Sequence, residues 1–238
     1  MFDAAPDRDL QLRDLASKTA REIVSIPPRA LLEPLLRSRL PRFDVHIDGT
    51  SIDIVVQFEP VDVGHGQAAF IQKSKMIVLF VLPPASELRR MVTGGKSGNR
   101  ELKRLFENDV PKVMREIASD IVHELTHALD ILLRGAKIPA TDVQSANSGE
   151  EGLRKYVSSP AEFNAFFQQS MYELEKELRQ LKKNVLRDLT LQDFMRMMGK
   201  TRTYVERAPY LDEKYRRKWL SRAYQTYVHF IERLRDAG

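Results

Sequence analysis

The stretch His123-Glu124-Leu125-Thr126-His127 has the pattern H-E-x-x-H, and the other elements of the chain are arranged around it. On an α-helix, residues i and i+4 lie about 40° apart around the axis, one turn above one another. Two imidazoles so placed can both face one metal ion. Glu124 is turned about 100° from His123, beside such an ion rather than against it, where a carboxylate can take a proton from a metal-bound water. The helical period continues around the motif. Ile117, Ile121, Leu125, Leu129 and Leu132 cluster on the side away from His123, while Glu116, Asp120, His127, Asp130 and Arg134 fall near it. This division predicts one helix over Val110 to Leu133, ended by Gly135 and Pro139.

Two histidines on the polar face of an amphipathic helix need not bind anything. With five histidines in the chain, however, the pattern arises by chance in roughly one such sequence in a hundred. Leu125 and Thr126 are uncharged, and Ala128 and Leu129 follow. In this the segment resembles zincin metallopeptidases. The resemblance implies hydrolysis of peptide bonds in a protein or peptide substrate, with Zn2+ as cofactor, His123 and His127 as ligands, and Glu124 as general base. It also implies a sheet beside the motif helix, whose edge strand could pair with an extended substrate.

A catalytic zinc normally takes three protein ligands and keeps a fourth position for water. In gluzincin-type peptidases the third ligand is a glutamate on a downstream helix, often within E-x-x-A. Glu162-Phe163-Asn164-Ala165 is similar to that form, so the resemblance implies Glu162 as the third ligand. Ser159-x-x-Glu162 also reads as a capping box, in which the glutamate returns to the cap residue's N–H. Asp130, Asp142, Glu150 and Glu151 are the competing carboxylates. Asp130 reads equally as an acceptor for a ligand imidazole N–H or as half of a helix ion pair. Tyr156 is a candidate donor to the oxyanion, with an ordinary half-buried tyrosine as its other reading. His46, His65 and His229 have no partner pattern. The resemblance rests on two short segments. The spacing from His127 to Glu162 is longer than in thermolysin-like enzymes, and no N-E-x-x-S-D segment is present, which makes this a divergent example.

Composition bounds the chemistry further. The chain has 238 residues, 42% hydrophobic and 30% charged, enough to bury a real core. It has no cysteine, so any metal must be held by His, Asp or Glu, a donor set that suits zinc. No apolar run approaches the roughly 20 residues that cross a bilayer. Met1 to Leu15 is polar and acidic, without the apolar core of a secretory signal. The expectation is a cytoplasmic protein without membrane partners, with export by a non-Sec route left open. Lys and Arg number 38 against 33 Asp and Glu, a net charge of +5. Part of the excess lies at Lys214, Arg216, Arg217, Lys218 and Arg222. A solvated helix face is favoured there over a nucleic-acid patch.

The order of elements predicts an α+β fold of zincin-like type: a small, mostly antiparallel sheet packed on the H-E-x-x-H helix, with a helical C-terminal half. Residues 1–40 read as two helices, over Asp7 to Ser25 and Arg29 to Leu40. Residues 41–135 hold the sheet and the motif helix. Phe43, Val45 and Ile47 alternate with polar residues, Asp48-Gly49 turns, and Ile52, Ile54 and Val56 alternate again, a hairpin signal. Ala68 to Gln72 and Met76 to Leu82 read as a second strand pair. The continuous apolar run of the latter fits a central strand. Thr93-Gly94-Gly95-Lys96-Ser97-Gly98 reads as a flexible loop. It is not a phosphate-binding loop, because Arg90 stands where that motif needs glycine and no strand leads into it. Glu101 to Asn108 reads as a short helix. Residues 136–238 form the part that carries the third ligand. Gly135 to Ser158 shows no periodicity and reads as a loop, either a cleft wall or a connector. Helices follow from Pro160 to about Lys183 with Ser159 as cap, from Leu191 to Met198 with Thr190 as cap, and from about Asp212 to Arg235.

Two other readings compete with a peptidase. One is a zincin-fold binding or regulatory protein without catalysis. The other is a basic helical module for nucleic acid, for which no separate motif is visible. Oligomeric state is left open by the sequence.

Overall fold

The computed structural model describes residues 5–37, 39–60, 67–136 and 149–236. It is α+β, mostly helical, with one small four-stranded mixed sheet. The chain divides into two compact units, Asp14–Arg134 and Met1–Arg13 with Gly135–Gly238.

Helix α1 (Ala5–Val24), whose residues from Asp14 on belong to the first unit, and α2 (Pro28–Leu36) precede the sheet. Its strands are β1 (Arg42–His46), β2 (Asp53–Pro60), β3 (Gln67–Ile71) and β4 (Met76–Leu82), in the order β1-β2-β4-β3. The predicted hairpin is present, with Phe43 opposite Val56 and Val45 opposite Ile54. Gly49 takes φ +72° in its turn, a conformation that costs glycine little. Every second residue of β2 is inward: Ile54, Val56 and Phe58 are fully buried. β3 and β4 pair antiparallel through a 3₁₀ turn at Gln72–Ser74. β4 is central, as its apolar run predicts. Its pairing with β2, however, is parallel, so the sheet is mixed. The reason is that β3 runs back along the far edge and β4 then inserts between β2 and β3.

Four helices follow: α3 (Ala85–Thr93), α4 (Gly95–Arg104), α5 (Val110–Glu116) and α6 (Ala118–Arg134), with a π-helical turn at Leu105–Asp109 before α5. Two expectations are corrected here. The stretch Thr93 to Gly98 is not a loop, because only Gly94 separates α3 from α4. Gly98 lets α4 press on α3, since a Cβ there would lie 2.0 Å from the Met91 carbonyl oxygen. Arg90 Nη2 donates to Glu101 Oε2 at 2.7 Å between the same helices. The helix predicted over Val110 to Leu133 is two segments, broken at Ile117, whose ψ is 7°. Ile117 N–H still reaches the Val113 carbonyl at 3.0 Å, and Ile121 N–H reaches that of Ile117 at 2.9 Å. Main-chain bonds thus span the break, and neither proline nor glycine marks it in the sequence. α6 is buried almost all round, on its polar face as well as its apolar one. The edge strand β3 lies against it.

The second unit contains α7 (Gly149–Val157), α8 (Pro160–Leu178), α9 (Lys183–Arg187), α10 (Leu191–Met198), α11 (Arg202–Arg207) and α12 (Glu213–Asp236). The reading of Gly135 to Ser158 as a loop fails for α7; residues 137–148 lie outside the described residues. Gly149 and Gly152 hide the helical period, but the Glu150–Arg154 and Glu151–Lys155 pairs, at 3.3 and 2.8 Å, have i,i+4 helical spacing. Leu153, Tyr156 and Val157 meet the core. That core centres on Trp219, 1% exposed, with edge-to-face rings of Phe163, Phe167 and Tyr204 at 5.8, 5.4 and 5.6 Å. Both predicted helix starts at Thr190 and Asp212 are capped by their side chains, which accept from the Asp193 and Tyr215 N–H groups at 3.1 and 3.0 Å. Among the described residues, no helix is long and apolar enough to cross a membrane.

Candidate metal centre

Helix α6 carries His123 and His127 one turn apart, and burial of its apolar side in the first unit fixes the rotation that sets their direction. The two Nε2 atoms lie 3.0 Å apart, and the rings meet edge-to-face with centroids at 4.7 Å. Both histidines are buried, at 7% and 6% exposure. Glu162 occupies the first turn of α8, which Pro160 opens with a φ suited to a helix start. Glu162 is 3% exposed. One ligand atom from each of His123, His127 and Glu162 lies within 4.8 Å of the others, so this buried group could hold a metal ion. Two ligand atoms about 2 Å from a tetrahedral ion stand about 3.3 Å apart. The 3.0 Å between the two imidazole nitrogens is close to that value, and the donor set of two nitrogens and one oxygen is borderline to hard.

The capping box does not form. The Ser159 side chain makes no cap bond, and its N–H donates to the Tyr156 carbonyl at 3.0 Å. The glutamate's position in the first turn is therefore not explained by capping.

Glu124 is half-buried on the same helix, and its Oε2 accepts from the backbone N–H of Phe70 on β3 at 2.8 Å. No residue-type signal foretells this bond, because it is made by main chain. The one hint in the sequence is the strand pattern around Ala68 to Gln72.

The remaining candidates are placed as follows. Asp130 is buried and meets Arg134 Nη1 at 3.2 Å, the i,i+4 pair that was one of its two readings. Glu150 and Glu151 are exposed on α7 in their lysine and arginine pairs, far from the burial a shielded ligand has. Asp142 and His65 lie outside the described residues. Tyr156 is half-buried at the end of α7, edge-to-face with Phe166 at 5.9 Å. His46, for which no partner was foreseen, meets Asp53 across the β1–β2 pair at 2.9 Å. His229 is half-buried on α12. Compared with family models, curated proteins and solved structures, the chain matches none.

Proposed function

We propose that this chain is a zinc-dependent metallopeptidase that hydrolyses peptide bonds in protein or peptide substrates. The observation that carries the reading is the buried group of His123, His127 and Glu162, with ligand atoms within 4.8 Å, two of them on the helix that also bears Glu124. Two imidazoles and a carboxylate form a three-protein donor set of the kind found in catalytic zinc sites. Zinc held there would supply Lewis acidity and lower the pKa of a bound water towards about 7.

The chain's own residues do the rest. His123, His127 and Glu162 fix the centre, and their burial excludes bulk water and strengthens local electrostatics. Glu124 accepts the proton of the attacking water and returns it to the leaving amine nitrogen. Tyr156 is the candidate donor to the carbonyl oxygen as charge develops on it.

The test is zinc analysis of purified protein together with cleavage of a fluorescein-labelled casein. Wild type binds about one zinc and cleaves, while His123→Ala loses the metal. Glu124→Gln keeps the metal and loses about a hundredfold or more in rate. Zinc content unchanged by His123→Ala would sink the reading. Stable zinc binding without Glu124-dependent cleavage would favour the non-catalytic binding protein instead.

A further inference from the structure

We infer that the backbone amide of Phe70 is a positioning group for Glu124, which makes the edge strand β3 part of the reaction machinery. The inference rests on the hydrolase reading above and adds a component that the H-E-x-x-H motif does not contain.

The contact joins two residues 54 apart in the chain, Phe70 N–H donating to Glu124 Oε2 at 2.8 Å. β3 is at the edge of the sheet, paired on one side with β4, where Phe70 stands opposite Ile77. In an antiparallel ladder the N–H and C=O groups of one residue point to the same side, and the side alternates along the strand. An N–H of β3 that reaches α6 is therefore one that the ladder to β4 does not use. Its position is nonetheless rigid, because β4 is the buried centre of the sheet.

A glutamate side chain has three rotatable bonds, and a half-buried one can leave its working position. A charge-assisted bond to a fixed main-chain donor removes most of that freedom. A carboxylate accepts through both oxygens. With Oε2 held by Phe70, Oε1 keeps its lone pairs for the proton of the attacking water. The amide thus acts on the rate through the orientation of Glu124 and touches no substrate atom itself.

The same bond has a plain structural use, since an acidic side chain on an edge N–H keeps other strands from pairing there. Two substitutions separate the two roles. Phe70→Pro removes the N–H at an edge position, where proline is tolerated. Phe70→Ala keeps the N–H and removes the ring. With the zinc-loaded full chain and labelled casein, Phe70→Pro is expected to lower kcat about tenfold to a hundredfold, with KM and zinc content unchanged. Phe70→Ala should stay within about threefold of wild type, and Phe70→Pro should cost nothing further in the Glu124→Gln background. In the metal-free chain, exchange of the Phe70 amide hydrogen should quicken about tenfold or more in Glu124→Ala.

Wild-type kcat in Phe70→Pro overturns the positioning role. So does an equal loss in Phe70→Ala, which would assign the effect to the ring. Should Phe70→Pro fail to fold, unchanged exchange at Phe70 in Glu124→Ala overturns it independently. No cleavage by wild type sinks the hydrolase reading and this role with it, whereas cleavage that survives Phe70→Pro sinks this role alone.

Discussion

At the scale of single residues, Glu162 carries the heaviest inference, because the motif supplies only two ligands. Substitutions one step removed from a metal commonly cost tenfold to a hundredfold in affinity. Loss of a ligand should exceed that. Glu162→Ala should therefore weaken zinc binding roughly a hundredfold or more in a chelator competition, while Glu150→Ala and Glu151→Ala leave it unchanged. Wild-type affinity in Glu162→Ala would remove Glu162 from the site. Gly98 poses a different residue-scale test. A Cβ there would sit 2.0 Å from a main-chain oxygen, which cannot rotate away. Overpacking of this kind costs about 1–3 kcal/mol, so Gly98→Ala should lower the urea midpoint with an unchanged m-value. A neutral result would show that α3 and α4 separate easily.

At the scale of elements, two helix starts that look alike in sequence differ in structure. Thr190 Oγ1 accepts from the Asp193 N–H at 3.1 Å, whereas Ser159, placed the same way before α8, makes no cap bond. Thr190→Ala should cost about 1 kcal/mol in denaturant unfolding. Ser159→Ala should be close to neutral, because the hydroxyl it removes is buried without a hydrogen-bond partner among the described residues. Equal losses in both would refute the assignment. The Thr190 hydroxyl also donates to Asp193 Oδ2 and holds that carboxyl below its usual range. A depressed folded value gives stability that is present above the unfolded pKa and lost as pH falls through the folded one. The penalty of Thr190→Ala should accordingly shrink below about pH 4.

What could be read at this scale follows from what leaves a trace in residue type. Alternation around Gly49 and the Pro160 start are written in side chains, and both elements are present where the pattern placed them. The break at Ile117 is a change of ψ with no special residue, so periodicity runs straight through it. α7 was hidden by its two glycines. The parallel β2–β4 pair depends on which strand inserts where, and alternation within a strand carries no such information. At the candidate site, the histidines and Glu162 could be named from spacing and resemblance. The amide that holds Glu124 could not, since every residue but proline offers one.

At the scale of the whole molecule, the chain has no cysteine, so any metal would be held by nitrogen and oxygen donors alone. Binding would then require no protein thiolate and should be indifferent to a reductant that does not itself bind zinc. A ligand that binds only the folded chain stabilises it by RT ln(1 + [L]/Kd), about 2.7 kcal/mol when free zinc is a hundred times Kd. For a chain of this size, each kcal/mol shifts Tm by about 2–4 °C, so saturating zinc should raise the melting profile by roughly 5–10 °C. A chelator should reverse the shift, and a phosphine reductant, which has no thiol to compete for zinc, should not. His123→Ala and His127→Ala should melt at the same temperature with and without zinc. His46→Ala should respond as wild type does, because His46 is exposed and already meets Asp53. This set separates a specific centre from adventitious zinc on surface histidines. If the His46 and His123 variants gain equally, the metal is bound non-specifically, and the three buried groups are a polar cluster of the fold with no role as a metal centre.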